Sequence, residues 1–119
     1  MSFEVILQEL AEKIGADGAV MLDYDAEKVA SYSESTTSDI DLIGAHHAVI
    51  LNIIKGITAE KDKNGDIKSV IIMTENAKLL ITAIKDGYCL IIAMGKNRST
   101  SLAVNEAEDA VRQIELEMG

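Results

Sequence analysis

The sequence contains no proline and no tryptophan, and its aromatic side chains are limited to one phenylalanine and three tyrosines. The core must therefore be aliphatic, and few aromatic side chains are available to stack on nucleic-acid bases. The single cysteine, Cys89, excludes a disulfide within the chain and is typical of a reducing compartment. No apolar run reaches the length of a membrane span, and the N-terminus lacks the basic start and cleavage site of a signal peptide. We therefore expect a cytoplasmic protein with no membrane insertion.

Basic residues are also few. Eleven Lys and Arg residues face 20 Asp and Glu residues, which gives a formal net charge of −9. Such a charge argues against nucleic acid and against anionic membrane surfaces, and it favours a partner with a basic surface. A chain of 119 residues, 48% of them hydrophobic, is too apolar to be disordered and long enough for one buried core. We expect a single domain over residues 1–119.

The stretch at residues 38–57 carries a full set of helix signals. Ser38 is a suitable N-cap, and Asp41, three residues later, completes a weak capping box. Lys55 lies in the last turn, and Gly56 can take the left-handed conformation that ends a helix. No proline interrupts the stretch. Residues 38–57 are therefore predicted to form one long helix.

The apolar surface of this predicted helix is unusually wide, roughly 200° of arc against about 100° for a helix that serves one core. Such a helix is expected to pack on two bodies, its own sheet and a partner chain or second helix. One stripe consists of Ile40, Ile43, Ile50, Ile54 and Ile57, and the stripe beside it contains Leu42, Val49 and Ile53.

The remaining elements follow from apolar periodicity and turn residues. A helix is predicted over residues 2–14, with Ser2 as cap and Gly15 as stop, and the Asp86-Gly87 pair predicts a type I′ hairpin turn. The last strand is apolar on both faces, so it should be central. Strands are predicted at residues 18–24, 28–33, 67–74, 78–84 and 88–94, and a final helix begins within residues 99–105 and ends at residue 118.

The predicted order is therefore α-β-β-α-β-β-β-α. Short hairpin links make the five-stranded sheet antiparallel, and helices on both faces give an α+β three-layer domain. The apolar stripe of the final helix is predicted to consist of Val104, Ala107, Val111, Ile114 and Met118.

The order of these elements and the residues at their joints resemble the roadblock family of dynein light chains and bacterial GTPase regulators, in particular the MglB-type regulators. The resemblance rests on Gly-Ala-Val-Met-Leu-Asp (18–23), the wide apolar helix, Val-Ile-Ile-Met-Thr-Glu (70–75), Leu-Leu-Ile-Thr-Ala-Ile (79–84) and Asp86-Gly87. One departure is Ala26, which stands where the family often has glycine in the first hairpin turn.

The resemblance implies a homodimer that pairs through the second helix and the third strand, so that two five-stranded sheets join edge to edge. The stripe with Ile40, Ile43, Ile50 and Ile54 would face its own sheet, although the two adjoining stripes are interchangeable. The residues expected at the dimer interface are Leu42, His46, Val49, Ile53, Val70, Ile71 and Ile72.

The resemblance also implies a regulator or scaffold of a small Ras-like GTPase, either GTPase-activating or selective for one nucleotide state. Two alternatives stay open. One is a structural adaptor of a motor or signalling complex with no effect on hydrolysis. The other is a small-molecule sensor, which ranks last because the strands offer few inward polar residues, chiefly Ser69 and Thr82.

Other candidate sites favour structural interpretations. His46 and His47 are adjacent, so they point about 100° apart on a helix and do not converge on one metal. The run at residues 62–66 fails as an EF-hand because Met73 stands where the bidentate glutamate belongs. Cys89 lies in the most apolar strand and is expected to be an inert buried thiol.

The basic loop at residues 95–100 precedes a predicted helix, so it is either a plain loop or an anion site. It lacks the phosphate-loop pattern, and nowhere does the sequence assemble a nucleophile, a base and an orienting group. We therefore expect a non-catalytic protein without cofactor or metal.

Overall fold

The computed structural model describes residues 2–34, 52–53, 56, 61–62, 65–66 and 68–119 of the chain. The first element is helix α1 (Phe3–Ile14). It begins where the Ser2 hydroxyl accepts a hydrogen bond from the Val5 N–H at 3.3 Å, which satisfies one of the free donors of the first turn. It ends at Gly15, which has a left-handed φ of 69°. Both predicted ends are confirmed.

Strands β1 (Gly18–Leu22) and β2 (Lys28–Ser33) form the first antiparallel hairpin. Asp23 organises the turn, because its Oδ1 accepts the backbone N–H groups of Asp25 at 2.9 Å and Glu27 at 3.0 Å. Ala26 adopts a φ of 62°, a left-handed conformation that glycine takes at little cost and alanine does not. The departure from the family's glycine thus coincides with a strained backbone position.

A two-residue ladder joins β3 (Lys61–Asp62) to β4 (Gly65–Asp66), with Lys61 opposite Asp66 and Asp62 opposite Gly65. No strand is predicted from the sequence at these residues, so the short ladder was not predicted.

Strands β5 (Ser69–Met73), β6 (Ala77–Ala83) and β7 (Cys89–Gly95) follow in antiparallel succession. The link between β6 and β7 has φ values of 62° at Asp86 and 81° at Gly87, and the Tyr88 N–H donates to the Lys85 carbonyl at 3.3 Å. Positive φ at both central residues is what a type I′ turn requires, as predicted for this pair.

The strand order in the main sheet is β2-β1-β7-β6-β5, and all pairings are antiparallel. The last strand, β7, is therefore central, which confirms the prediction drawn from its apolar faces. Its neighbour β1 comes from the opposite end of the chain. The two edge positions of this sheet are held by β2 and β5.

The C-terminal helix α2 (Thr100–Met118) is capped by Ser99, whose Oγ accepts from the Leu102 N–H at 3.2 Å. Its buried face differs from the predicted stripe, because Val104, Val111 and Met118 are only half-buried. Small side chains allow the closest approach to α1 and to the sheet, so they occupy the deepest positions instead. The residues buried on α2 are Ala103, Ala107, Ala110 and Ile114.

Two hydrophobic clusters cover the two faces of the sheet. Alternation along β7 separates them, since Leu90, Ile92 and Met94 belong to the first and Cys89, Ile91 and Ala93 to the second. Helices α1 and α2 both pack on the first face. On the second face, Ile53, which is in helical conformation, packs against the cluster. The structure is an α+β fold around a five-stranded antiparallel sheet, as predicted; most of the predicted helix at residues 38–57 lies outside the described residues.

Candidate protein-interaction surface

Strand β5 is an apolar edge of the sheet. Its first four residues, Ser69 to Ile72, are half-buried, and Met73 is 70% exposed. Val70 and Ile72 pack against the cluster on the second face, whereas Ile71 packs against the helix-covered face. Among the described residues, β5 pairs only with β6. The strand thus presents apolar side chains on both faces and one unpaired margin.

The ladder between β5 and β6 fixes which backbone groups point to that margin. The Lys68 carbonyl accepts from the Ala83 N–H at 2.8 Å, and the Thr74 N–H donates to the Ala77 carbonyl at 2.9 Å. Backbone groups of an antiparallel strand alternate in direction, so the residues with even numbers bond to β6. The N–H and C=O groups of Ser69, Ile71 and Met73 therefore point away from β6, where another strand could pair with them.

A pair of hydroxyl groups, on the buried Thr82 and the half-buried Ser69, holds this edge strand in place. The Ser69 hydroxyl donates to the Thr82 Oγ1 at 2.9 Å, and Thr82 in turn donates to the Lys68 carbonyl at 3.2 Å. Thr82 is only 5% exposed, so its hydroxyl needs these partners. The two inward polar residues singled out in the sequence thus bond to each other and fix the register of the edge instead of lining a pocket.

The structure brings together only some of the predicted interface residues. Val70, Ile71 and Ile72 lie side by side on β5, at the edge of the sheet. Ile53 is half-buried and packs against its own sheet. That contact was expected first of the neighbouring stripe, which contains Ile50 and Ile54, whereas Ile53 was expected at the dimer interface. Leu42, His46 and Val49 lie outside the described residues, as does His47. The interface itself stays a prediction.

The thiol of Cys89 has the inert character expected of it. The residue is 2% exposed in the central strand, and burial raises the pKa of the Cys89 thiol to about 11. Within the described part of the chain, no group of three or more His, Cys, Asp or Glu side chains is placed to hold a metal ion. None of the helices described there is long and apolar enough to cross a membrane.

The basic loop before α2 is tied into the fold by a lysine that sequence reasoning missed. Lys78 on β6 is 8% exposed, and its Nζ donates to the Arg98 carbonyl at 2.7 Å and to the Thr100 Oγ1 at 2.9 Å. The Ser99 hydroxyl is used to cap α2. These contacts give the loop a structural role. The only sequence signal for Lys78 was a lone cation at the start of an otherwise apolar strand.

The sequence model of the Roadblock/LC7 domain matches residues 2–94 of this chain, a stretch that contains α1 and the main sheet up to the last residue but one of β7. The chain belongs to the Roadblock/LC7 family. No curated protein matches it in sequence. The recognition made from the order and joints of the elements is thereby confirmed.

Solved structures of roadblock proteins share the fold. MglB from Myxococcus xanthus is 12% identical with a TM-score of 0.77, and the match covers 98% of this chain and 94% of MglB. MglC from the same organism is 16% identical with a TM-score of 0.72, over 98% of this chain and 99% of MglC. Profilin IB from Acanthamoeba castellanii also shares the fold, with 13% identity and a TM-score of 0.64 over 99% and 100% of the two chains. At these identities the likeness concerns the fold.

The roadblock chain has one further surface that sequence reasoning missed. Tyr24 and Tyr88 lie in different hairpin turns, yet their ring centroids are 6.3 Å apart. They become neighbours because β1 and β7, which adjoin these turns, pair side by side. A sequence-based search for this contact would have needed the strand order, since 63 residues separate the two tyrosines along the chain.

Proposed function

We propose that this roadblock protein regulates or scaffolds a small Ras-like GTPase and that it does so as a homodimer. Membership of the Roadblock/LC7 family is the observation that carries the proposal, and the fold shared with MglB and MglC over nearly the whole chain supports it. In this proposal the protein is a non-catalytic partner that contributes surface and leaves nucleotide chemistry to the GTPase.

The homodimer is proposed to form along β5. Its outward N–H and C=O groups at Ser69, Ile71 and Met73 can pair with the same strand of a second copy, which would join two sheets into one. Half-buried apolar side chains on both faces of β5 would then lose their remaining exposure. Both effects favour pairing of an exposed apolar edge strand.

Binding and hydrolysis assays with a Ras-like GTPase encoded next to this protein test the proposal. We expect the protein to bind the GTP-analogue-loaded and GDP-loaded forms with different affinities, or to change the rate of GTP hydrolysis. Preferential binding to one nucleotide state is thermodynamically equivalent to stabilising that state. Equal affinity for both forms together with an unchanged hydrolysis rate would remove the regulator proposal.

A structural adaptor is the second candidate function. It is favoured by the same apolar edge, which suits permanent assembly as well as regulated contact. An adaptor would bind its complex without preference for a nucleotide state. The oligomeric state separates the two parts of the main proposal, because light scattering should give twice the 12.8 kDa chain mass whether or not a GTPase responds.

A further inference from the structure

One end of the sheet carries a pair of tyrosines next to two turns whose backbone includes residues with positive φ. Tyr24 lies in the β1–β2 turn and Tyr88 follows the β6–β7 turn; their rings are 6.3 Å apart and inclined at 58°. Gly87 lies directly beneath Tyr24, since a Cβ added to this glycine would be 3.2 Å from the Tyr24 Cβ. The two rings therefore form a tilted pair above a turn that has no side chain at the point of contact.

Left-handed backbone occurs in the same two turns. Within the described residues, the non-glycine positions with positive φ are Ala26 and Asp86, both at 62°. One lies in the Tyr24 turn and the other immediately precedes Gly87. Strained conformations persist where the surrounding structure imposes them, and they recur at binding sites because they fix a geometry in advance. The tyrosine pair is thus presented by two turns with left-handed backbone.

The tyrosines border an open groove of about 600 Å³. Its apolar lining comes from three separate elements: Phe3 at the start of α1, Val29 on β2 and Met118 at the end of α2. Asp86 is the charged residue in the lining. Tyr24 is 71% exposed and Val29 37% exposed, so the groove is accessible. It gathers three of the four aromatic residues of the chain.

We propose that this groove, formed by Phe3, Tyr24, Val29, Asp86, Tyr88 and Met118, binds a peptide segment of a partner protein that carries an arginine among apolar residues. Tyrosine ring faces attract cations, and the planar guanidinium group both stacks on them and pairs with a carboxylate. Asp86 supplies that carboxylate beside the rings. The segment's apolar side chains would rest on Phe3, Val29 and Met118.

Charge complementarity selects a basic occupant. The chain carries a net charge of −9, and next to the groove in sequence the acidic Asp23, Asp25 and Glu27 outnumber the basic Lys28 and Lys85. An acidic segment would meet carboxylates at the groove and around it, whereas an arginine would be drawn towards them. A wholly apolar segment would leave Asp86 without a counter-charge.

The groove is distinct from the proposed dimer edge. Val29 belongs to β2, and β5 is the strand at the opposite side of the sheet. A dimer that pairs along β5 therefore leaves the groove available on each copy, and the proposed peptide site does not depend on the proposed GTPase or on the dimer.

Binding to peptide arrays tests the inference. The probes are ten-residue peptides with a fixed central arginine and flanking positions randomised among Leu, Val, Pro and Ser, alongside arrays with glutamine or glutamate at the centre. The wild-type chain is compared with Tyr24→Ala and Asp86→Asn, and asparagine tolerates the left-handed conformation that this turn position requires. Leu116→Ala is the matched control, because Leu116 is 81% exposed on α2 and lies outside the groove.

We expect arginine-centred peptides to bind at least about threefold more tightly than glutamine-centred ones, which is the size of an exposed cation–π contact with a nearby charge. Tyr24→Ala and Asp86→Asn should each remove most of this preference, whereas Leu116→Ala should leave it intact. Equal binding to the arginine and glutamine arrays would overturn the proposal. So would stronger binding to glutamate, or a preference that survives both groove variants while their circular dichroism shows a folded protein.

Discussion

The two edges of the main sheet differ in almost every respect. The β2 edge has the sequence Lys-Val-Ala-Ser-Tyr-Ser, starts with a charged residue, and its pairing with β1 is shifted between Met21 and Leu22. The β5 edge has the sequence Ser-Val-Ile-Ile-Met and keeps a regular register with β6 over all five pairs. The β2 edge is more polar and its pairing register is shifted, whereas the β5 edge is mostly apolar and its pairing register is regular.

This difference supports the proposal that the protein associates along β5. Proteins protect exposed edge strands with charged residues, polar side chains and bulges, because an unprotected edge pairs readily with other chains. The β2 edge carries all three devices, whereas β5 has one polar residue, Ser69, and neither a charged residue nor a bulge. An apolar edge left unprotected while the other edge is protected is the one expected to pair with a partner, which in our proposal is a second copy.

Proline at the outer margin of β5 should give the largest effect. Met73→Pro removes an N–H that points away from β6 and places a ring in the path of an incoming strand. We expect the dimer to weaken by about 3 kcal/mol, or more than a hundredfold, since a two-fold interface loses each contact twice. Light scattering over a dilution series measures this change.

Ser31→Pro is the matched substitution on the other edge. Hydrogen bonds between β1 and β2 place the Ser31 N–H outward, because the Glu34 N–H donates to the Asp17 carbonyl and the pattern alternates along the strand. This variant should remain dimeric. If Ser31→Pro dissociates the protein and Met73→Pro does not, the two edges have been assigned the wrong way round.

Removal of the hydroxyl group that holds β5 against β6 should give the next largest effect. Thr82→Val removes the hydroxyl that accepts from Ser69 and donates to Lys68, so it leaves the half-buried Ser69 hydroxyl without this partner. The free energy of unfolding should fall by about 1–2 kcal/mol. Thr82→Ser keeps the hydroxyl and should recover much of that loss. Urea unfolding of the two variants checks this, and equal stability of both would show that the hydroxyl pair does not hold the edge.

The third prediction concerns the central strand β7, where the buried thiol of Cys89 should make the free energy of unfolding depend on pH. Burial raises the pKa of Cys89 from 9.0 to about 11, so the folded state keeps its thiol proton at pH values where the unfolded state loses it. The associated stability is fully present below pH 9 and is lost as the pH rises from 9 to 11. By pH 10 the loss should be about 1.4 kcal/mol.

Cys89→Val is the variant that isolates this term. Between pH 8 and pH 10 the unfolding free energy of this variant should fall less than that of the wild-type protein. The difference between the two falls is the contribution of Cys89, because all other titrating groups are common to both chains. Thiol labelling at pH 8 should be slow in Met73→Pro and Ser31→Pro alike. Rapid labelling in either variant would mean that the substitution opens the middle of the sheet and does more than block an edge.

The smallest effect concerns the turn that enters β2. Ala26→Gly relieves a left-handed alanine, and the gain of about 1–2 kcal/mol is offset by roughly 0.5–1 kcal/mol of added chain entropy. We expect a net stabilisation of about 0.5 kcal/mol, or about 2 °C in the melting temperature. Gly87→Ala is the opposite experiment and should destabilise, because φ is 81° there and the new Cβ would press on Tyr24. A destabilised Ala26→Gly variant would contradict the strain assigned to Ala26.

Much of the fold could be predicted because local signals agreed with one another. Helix α1 has its serine cap and its glycine stop, and β7 is apolar on both faces and therefore central. The buried face of α2 could not be predicted in the same way. Hydrophobicity favours Val104 and Val111, but close packing of two helices on a sheet favours Ala103 and Ala110, and only the packed structure shows where space is short.

Of the two candidate surfaces, one was predicted from the sequence and the other was not. Family resemblance implied that Val70, Ile71 and Ile72 lie on a strand that joins two sheets edge to edge, and the sheet order places this strand at an edge. The tyrosine groove was not predicted at all. Its members come from α1, two turns, β2 and the end of α2, and periodicity within one segment carries no information about contacts between segments.

The central position of β7 has a consequence for the way this chain is made. Strand β1 pairs with β7, so Gly18 lies opposite Ala93, a separation of 75 residues. A ribosome releases β1 and β2 long before β7, and until then one side of β1 has no neighbour. Contacts of such long range form slowly, and the waiting hairpin exposes an unpaired strand to other nascent chains. The middle of the sheet is thus the last part of it to be synthesised, so the main sheet cannot be completed until synthesis reaches residue 95.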